Sequence, residues 1–271
     1  MSKNLEPFLH NRSYGVFDYF IYVLAFPVVC VRVFLTAFIS GGLYLLIKLD
    51  TGKKYRFFVQ YYSRLLLFIF GFYNVKIKNK QFIKTAAPNQ AVIVYNHVSF
   101  FDSFFIFAYI KVVAPVIYYK MYANIKFLAD YVDGIPVNTE KTGTLNSERI
   151  KDYLSLNKLS ISIAPEGSLS NGNYILQFKT GGFSLNRPVL PVVLKFPDTE
   201  IAWVINKSIL FILYYALSRL YNNAELVILD LQTIKPGETP REFADRVRTL
   251  MSVESGVPLI NVDGYTKPSC C

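Results

Sequence analysis

The sequence predicts an α/β domain, a mixed sheet flanked by helices, preceded by an N-terminal membrane-embedded helical segment. Three observations carry that expectation. Short runs rich in β-branched residues, at residues 91–95, 112–119, 159–164 and 188–196, alternate with segments of helical pattern, as in layered sheet proteins. Residues 16–47 are almost continuously apolar, broken only by Asp18, Pro27, Arg32 and a pair of glycines at 41 and 42. Hydrophobic residues make up 52% of the 271, with 20 Tyr and 23 Phe, a composition that points to contact with lipid.

Charge narrows the partners. Lys and Arg number 29 against 19 Asp and Glu, a net +10, which suits nucleic acid, an anionic membrane or phosphorylated ligands. The apolar N-terminal third favours the last two and argues against nucleic acid. Three cysteines, Cys30, Cys270 and Cys271, make neither a disulfide framework nor a spaced metal set, so no metal is expected and a reducing compartment is.

Taken in order, residues 16–47 hold two uncharged runs on either side of Arg32, and neither alone reaches the ~20 residues of a comfortable span. A single tilted span would bury Arg32 at high cost. The expectation is a helical hairpin dipping into one leaflet, broken near residues 27–32. Lys48, Lys53, Lys54 and Arg56 follow, as at an anionic headgroup layer, and residues 57–73 read as an aromatic interfacial helix. Residues 73–78 alternate and predict the first strand. Further strands are expected at 134–137, 201–205 and 225–231, with helices at 103–110, 123–131, 147–156 and 209–221. A final helix opens at Thr239-Pro240-Arg241-Glu242, a capping box with proline in the first turn. The expected division is an anchor over residues 1–73, a globular domain over 74–255 and a tail over 256–271.

The chemistry concentrates in Asn96-His97-Val98-Ser99-Phe100-Phe101-Asp102, between a strand and a helix. Five positions apart on a regular helix, His97 and Asp102 would lie roughly 140° apart and could not meet. With His97 in the turn and Asp102 in the first helical turn they can. There the helix dipole favours the carboxylate, which accepts one imidazole N–H and leaves the other nitrogen as a base. Taken alone, the spacing also fits a polar loop with a solvent-facing histidine. The only other histidine, His10, lies near the N-terminus, so His97 is the one plausible base. Downstream, Pro165-Glu166-Gly167-Ser168 ends a strand in a turn whose exposed N–H groups suit a phosphate or polar headgroup.

His97-x4-Asp102 resembles the first motif of the glycerolipid acyltransferases, the 1-acylglycerol-3-phosphate acyltransferase superfamily. Gly134-Ile135-Pro136-Val137 resembles its second motif and Pro165-Glu166-Gly167-Ser168 its third. The block around Lys179-Thr180-Gly181-Gly182, the proline strand at 189–194 and Lys120 also match. The similarity covers roughly residues 5–255 and looks most like the lysophosphatidylcholine and related lysophospholipid acyltransferases. It implies His97 and Asp102 as catalytic, and Gly134, Pro136, Glu166, Gly167, Ser168, Lys120, Lys141 and Lys179 as substrate-binding. It implies acyl-CoA as co-substrate with no further cofactor, and a lysophospholipid acceptor. The expected location is a membrane, that of the endoplasmic reticulum, with the site facing the cytosol. Two departures matter. Thr139 stands where the family has arginine, with Lys141 the nearest cation, and Gly167-Ser168 is not followed by the arginine of phosphatidate-forming members. Two alternatives stay open: a 1-acylglycerol-3-phosphate acyltransferase making phosphatidate, and a catalytically weak membrane scaffold of the same fold.

Overall fold

The computed structural model describes residues 5–9, 13–50, 52–54, 56–86, 90–110, 113–138, 143–156 and 160–264. Helix α1 (Val16–Leu24) begins where the Gly15 N–H donates to the Asp18 carboxylate. After one residue, Ala25, helix α2 (Phe26–Leu49) runs for 24 residues. Pro27 sits in its first turn, where the missing N–H costs nothing, so the chain breaks at Ala25 and not across residues 27–32. At ~1.5 Å per residue α2 reaches about 36 Å, long and apolar enough to cross a bilayer.

Helix α3 (Phe58–Ile69) and strand β1 (Val75–Lys78) come next, then a short α4 (Ile83–Ala86). Strand β2 (Val92–Tyr95) leads into α5 (Asp102–Tyr109), and β3 (Ala114–Tyr118) into α6 (Tyr119–Asn124) and α7 (Lys126–Tyr131). The single helix expected over 123–131 is therefore two, separated at Ile125, whose backbone leaves the helical region at φ −116°. Strand β4 (Ile135–Val137), helix α8 (Gly143–Leu156), strands β5 (Ile161–Ile163) and β6 (Val189–Lys195), helix α9 (Ile209–Ser218), strand β7 (Ala224–Ile228) and helix α10 (Pro240–Ser255) complete the order. The Thr239–Glu242 capping box forms as expected. No strand forms at 201–205. Asp198 accepts the Glu200 N–H and winds 199–201 into a single 3-10 turn, and the N–H groups that follow bond to loops instead of to a strand.

Among the described residues the sheet has seven strands, in the order β1-β7-β6-β2-β5-β3-β4. From β6 to β4 all neighbours are parallel; β7 is antiparallel to β6 and carries β1 parallel beside it. The mixed sheet flanked by helices is thus present. Alternation along β2 serves both layers. Ile93 and Tyr95 face the core beneath α3, α5 and α9, whereas Val92 and Val94 face the one beneath α10.

Helix α3 is more than an interfacial helix. Val59, Ser63, Leu66, Leu67 and Ile69 are buried, and Arg64 donates to the Ala108 carbonyl at the end of α5 at 2.7 Å. Its other face leaves Phe58, Tyr61, Leu65 and Phe68 exposed, beside the exposed apolar side chains of α1 and α2. The buried charge at Arg32 is also resolved. Its guanidinium donates to the carbonyls of Leu217, Arg219 and Leu220 and to the Tyr73 hydroxyl, satisfying the C-terminal end of α9.

Candidate active site

Because β2, β3, β4, β5 and β6 run in parallel, their C-terminal ends share one edge, where open α/β sheets place their ligands. The turn after β2 carries His97, and Asp102 opens α5. The side chains meet: His97 Nδ1 lies 2.8 Å from Asp102 Oδ2. The same oxygen accepts the backbone N–H groups of Val98 at 2.7 Å and Ser99 at 3.0 Å. These bonds, with the helix N-terminus, hold a carboxylate that is fully buried. The acceptor fixes the proton on Nδ1, so Nε2 presents its lone pair on a ring that is 28% exposed. Such a pair can take a proton from a hydroxyl and return it to a leaving group.

The backbone of this turn is braced from several sides. Asn96, just before it, is buried and pairs its amide with both the N–H and the carbonyl of Leu194 on β6. The Ser170 N–H donates to the His97 carbonyl at 2.9 Å and the Trp203 N–H to the Val98 carbonyl at 2.9 Å. Glu166 arrives from the turn after β5. Its two oxygens accept the N–H groups of His97 at 3.1 Å and of Leu176 at 3.2 Å. Burial pushes its carboxyl up to about 8, against the pull of those two donors. A fully buried carboxyl that accepts these two backbone donors braces the His97 turn from the end of β5.

The other sequence candidates are spread around this edge. Gly167 adopts φ +68°, which an L side chain resists, and a Cβ there would collide with Lys179 Nζ. Lys179 thus packs behind the turn, donating its N–H to the Pro165 carbonyl at 2.8 Å. It lines a polar cavity of about 210 Å³ with Gln177, Thr180, Arg241 and Asp263. Ser168 is half-buried, and Gly264 approaches it so closely that a Cβ would strike the Glu166 carbonyl. Residues 257–264 therefore lie along the site loops.

Gly134 is a packing glycine, with its N–H on the Ala129 carbonyl at 2.7 Å and no room for a Cβ beside Ile117. Pro136 lies half-buried on β4, paired with Ile117, and Lys120 is exposed in the first turn of α6. Both stand on the same sheet edge as His97, and no hydrogen bond joins either to it. Thr139 and Lys141 lie outside the described residues. Among the described residues, no group of three His, Cys, Asp or Glu is arranged to hold a metal. Sequence reasoning missed Asn96, Asn171 and Arg248. The first two adjoin motif residues, which was the available signal. Arg248 gave none, since only folding brings α10 to the carbonyls of Ile175, Leu176 and Ile260.

The chain is similar to several known proteins. Residues 74–195 match the Acyltransferase family model. The chain is 28% identical to lysophospholipid acyltransferase LPEAT1 of Arabidopsis thaliana over 74% of its own length and 58% of the relative's. It is also 28% identical to lysophosphatidylcholine acyltransferase 1 of Homo sapiens, over 80% of this chain and 42% of that one. The chain thus spans about half the length of the curated relatives it matches. Its fold resembles the crystal structure of the 1-acyl-sn-glycerophosphate acyltransferase PlsC from Thermotoga maritima, with a TM-score of 0.62 at 16% identity, over 88% of this chain and 96% of that one. The segment that matches the Acyltransferase family model, residues 74–195, is the one that carries His97, Asp102 and Glu166.

Proposed function

We propose that the protein is a membrane-bound acyltransferase that moves a fatty acyl group from acyl-CoA to the free hydroxyl of a lysophospholipid. The observation that carries this reading is the His97–Asp102 pair, with Nδ1 fixed and Nε2 open on the ligand edge of the sheet. His97 Nε2 takes the hydroxyl proton as the oxygen attacks the thioester carbon. The tetrahedral adduct then collapses, the C–S bond breaks, and the imidazolium returns the proton to the CoA thiolate. Asp102 holds the tautomer and stabilises the imidazolium. The lipid oxygen is itself the nucleophile, so the step needs no acyl-enzyme and no cofactor beyond the acyl-CoA.

The acceptor we favour is zwitterionic, lysophosphatidylcholine or lysophosphatidylethanolamine. Lysophosphatidate presents a phosphomonoester near −2, which suits the rigid fork of an arginine, and neither Thr139 nor the residues after Gly167 supply one. The names of the relatives support the lysophospholipid class. The apolar faces of α1, α2 and α3 support a membrane site, with the endoplasmic reticulum and a cytosolic active site as the proposed location. Thiol release from acyl-CoA with each acceptor tests the reading. Release with the zwitterionic acceptors is expected, and Thr139→Arg should narrow the gap to lysophosphatidate. A higher kcat/KM on lysophosphatidate would assign the chain to phosphatidate synthesis, and no release with any acceptor would leave the scaffold reading.

A further inference from the structure

The short 3-10 segment Glu6–Phe8 precedes the membrane helices, yet it is built into the site loops. Phe8 is fully buried and packs with Leu176 and Val262. Three strap carbonyls are held by one residue. Asn171 donates its N–H to the Pro7 carbonyl at 2.7 Å, and its Nδ2 to those of Glu6 at 3.0 Å and Leu9 at 3.2 Å. The Phe8 carbonyl accepts the Ile205 N–H at 2.9 Å, and the Glu6 carboxylate accepts the Tyr174 hydroxyl at 2.8 Å.

Each anchor lies within two residues of a bond to the His97 turn. Asn171 follows Ser170, whose N–H holds the His97 carbonyl. Leu176, beneath Phe8, donates its N–H to Glu166, which accepts the His97 N–H through its other oxygen. Ile205 follows Trp203 by two residues, and Trp203 holds the Val98 carbonyl. Both the N–H and the carbonyl of His97, and the carbonyl of Val98, are thereby referred to one strap. Gly172, at φ +79°, closes the packing, since a Cβ there would sit 2.9 Å from Val98 Cγ1.

We infer that residues 6–9 are a positioning strap for the catalytic turn, with Phe8 and Asn171 as its two anchors. The inference rests on the acyltransfer reading for its kinetic arm and on local backbone stability for its second arm. Neither anchor touches a reacting atom in the proposed step; each acts through the backbone that aims Nε2. Loosening an aimed base costs turnover more than substrate binding, because alignment is used in the transition state.

The test uses the full chain in proteoliposomes, with acyl-CoA and lysophosphatidylcholine as substrates. Phe8→Ala should lower kcat by roughly ten- to a hundredfold with KM for both substrates within about twofold, and Phe8→Leu should restore most of it. Hydrogen exchange should quicken at the amides of His97 and Leu176 while β2 and β6 stay protected. Should Phe8→Ala fail to fold, Asn171→Ala, which removes the two Nδ2 bonds but keeps the apolar contact, carries the same two readouts. The two readings fail separately. An inactive wild type removes the acyltransfer reading and leaves hydrogen exchange to judge the strap. An active wild type matched by an equally active, folded Phe8→Ala or Asn171→Ala overturns the strap, as does unchanged exchange at His97.

Discussion

Oε2 of Glu166 accepts the backbone N–H of His97 at 3.1 Å, so the third motif holds up the first. This carboxyl is buried and its titration is displaced upward to about 8 from 4.5.

That displacement sets a pH dependence. Between about 4.5 and 8 the folded chain keeps a proton on Glu166 that the unfolded chain has released. The folded state binds more protons across that window, so this group's contribution to stability falls as pH rises through it. Asp133, Glu225, Glu238 and Glu242 are all displaced downward, in the opposite direction to Glu166. Thermal melts of the wild type from pH 5 to 8 should fall relative to Glu166→Gln, whose amide does not titrate. Parallel curves for the two proteins would place the proton elsewhere.

The His97–Asp102 pair makes the sharpest kinetic prediction. His97→Ala should lose ~100- to 10,000-fold in turnover with the fold intact, because the ring lies in a turn and contributes little to the core. Asp102→Asn should be similarly severe, since a neutral amide gives up the negative charge that stabilises the imidazolium and fixes the Nδ1 proton. Circular dichroism beside the thiol-release assay checks both, and a folded, fully active His97→Ala would end the proposed mechanism.

Arg32 makes a structural prediction inside the apolar helix. Removing it as Arg32→Ala strands the carbonyls of Leu217, Arg219 and Leu220. The loss should be about 2–4 kcal/mol, in line with breaking charged hydrogen bonds at a buried site. Arg32→Lys should recover only part of it, as an ammonium lacks the planar fork. Denaturant midpoints in detergent read the difference, and a midpoint unchanged by Arg32→Ala would show that α9 ends well without its guanidinium cap.

Membrane topology can be read from the two ends of the helical pair. Before α1, Tyr14 bonds to Glu200 of the globular part; after α2, Asp50 accepts the Tyr131 hydroxyl at 2.6 Å and Lys53 pairs with Asp133. Between them, Ser40 lies 3.0 Å from the Tyr62 hydroxyl of α3. Both flanks are pinned to one body, so we expect them on one face of the membrane despite the length of α2. Cysteines placed at Ser13 and Gly52, in a chain whose three native cysteines are serine, should react together with an impermeant maleimide in sealed vesicles. Labelling of one and protection of the other would establish a single crossing.

Much of this was legible in the residues. The β-branched runs forecast β2, β5 and β6 because a strand buried on both faces needs little besides apolar side chains. The turn between Tyr95 and Asp102 followed from geometry, since His97 and Asp102 can meet only where a strand gives way to a helix. The Thr239 cap was local chemistry and therefore local sequence. What the sequence could not decide was everything set by distant partners. Residues 201–205 have strand composition, but Trp203 and Ile205 find their acceptors on Val98 and Phe8, so no ladder forms. Glu166 looks like a ligand in a polar turn until packing buries it between two backbone donors. Arg32 looks like a misplaced charge in a lipid-facing run until α9 brings it three carbonyls. Local pattern sets which segments are helix, strand or turn, because those preferences act over a few residues. Burial and hydrogen-bond partners are settled only when segments far apart in the chain pack together, and in this protein those contacts decide which side chains hold the His97 turn and which stay exposed.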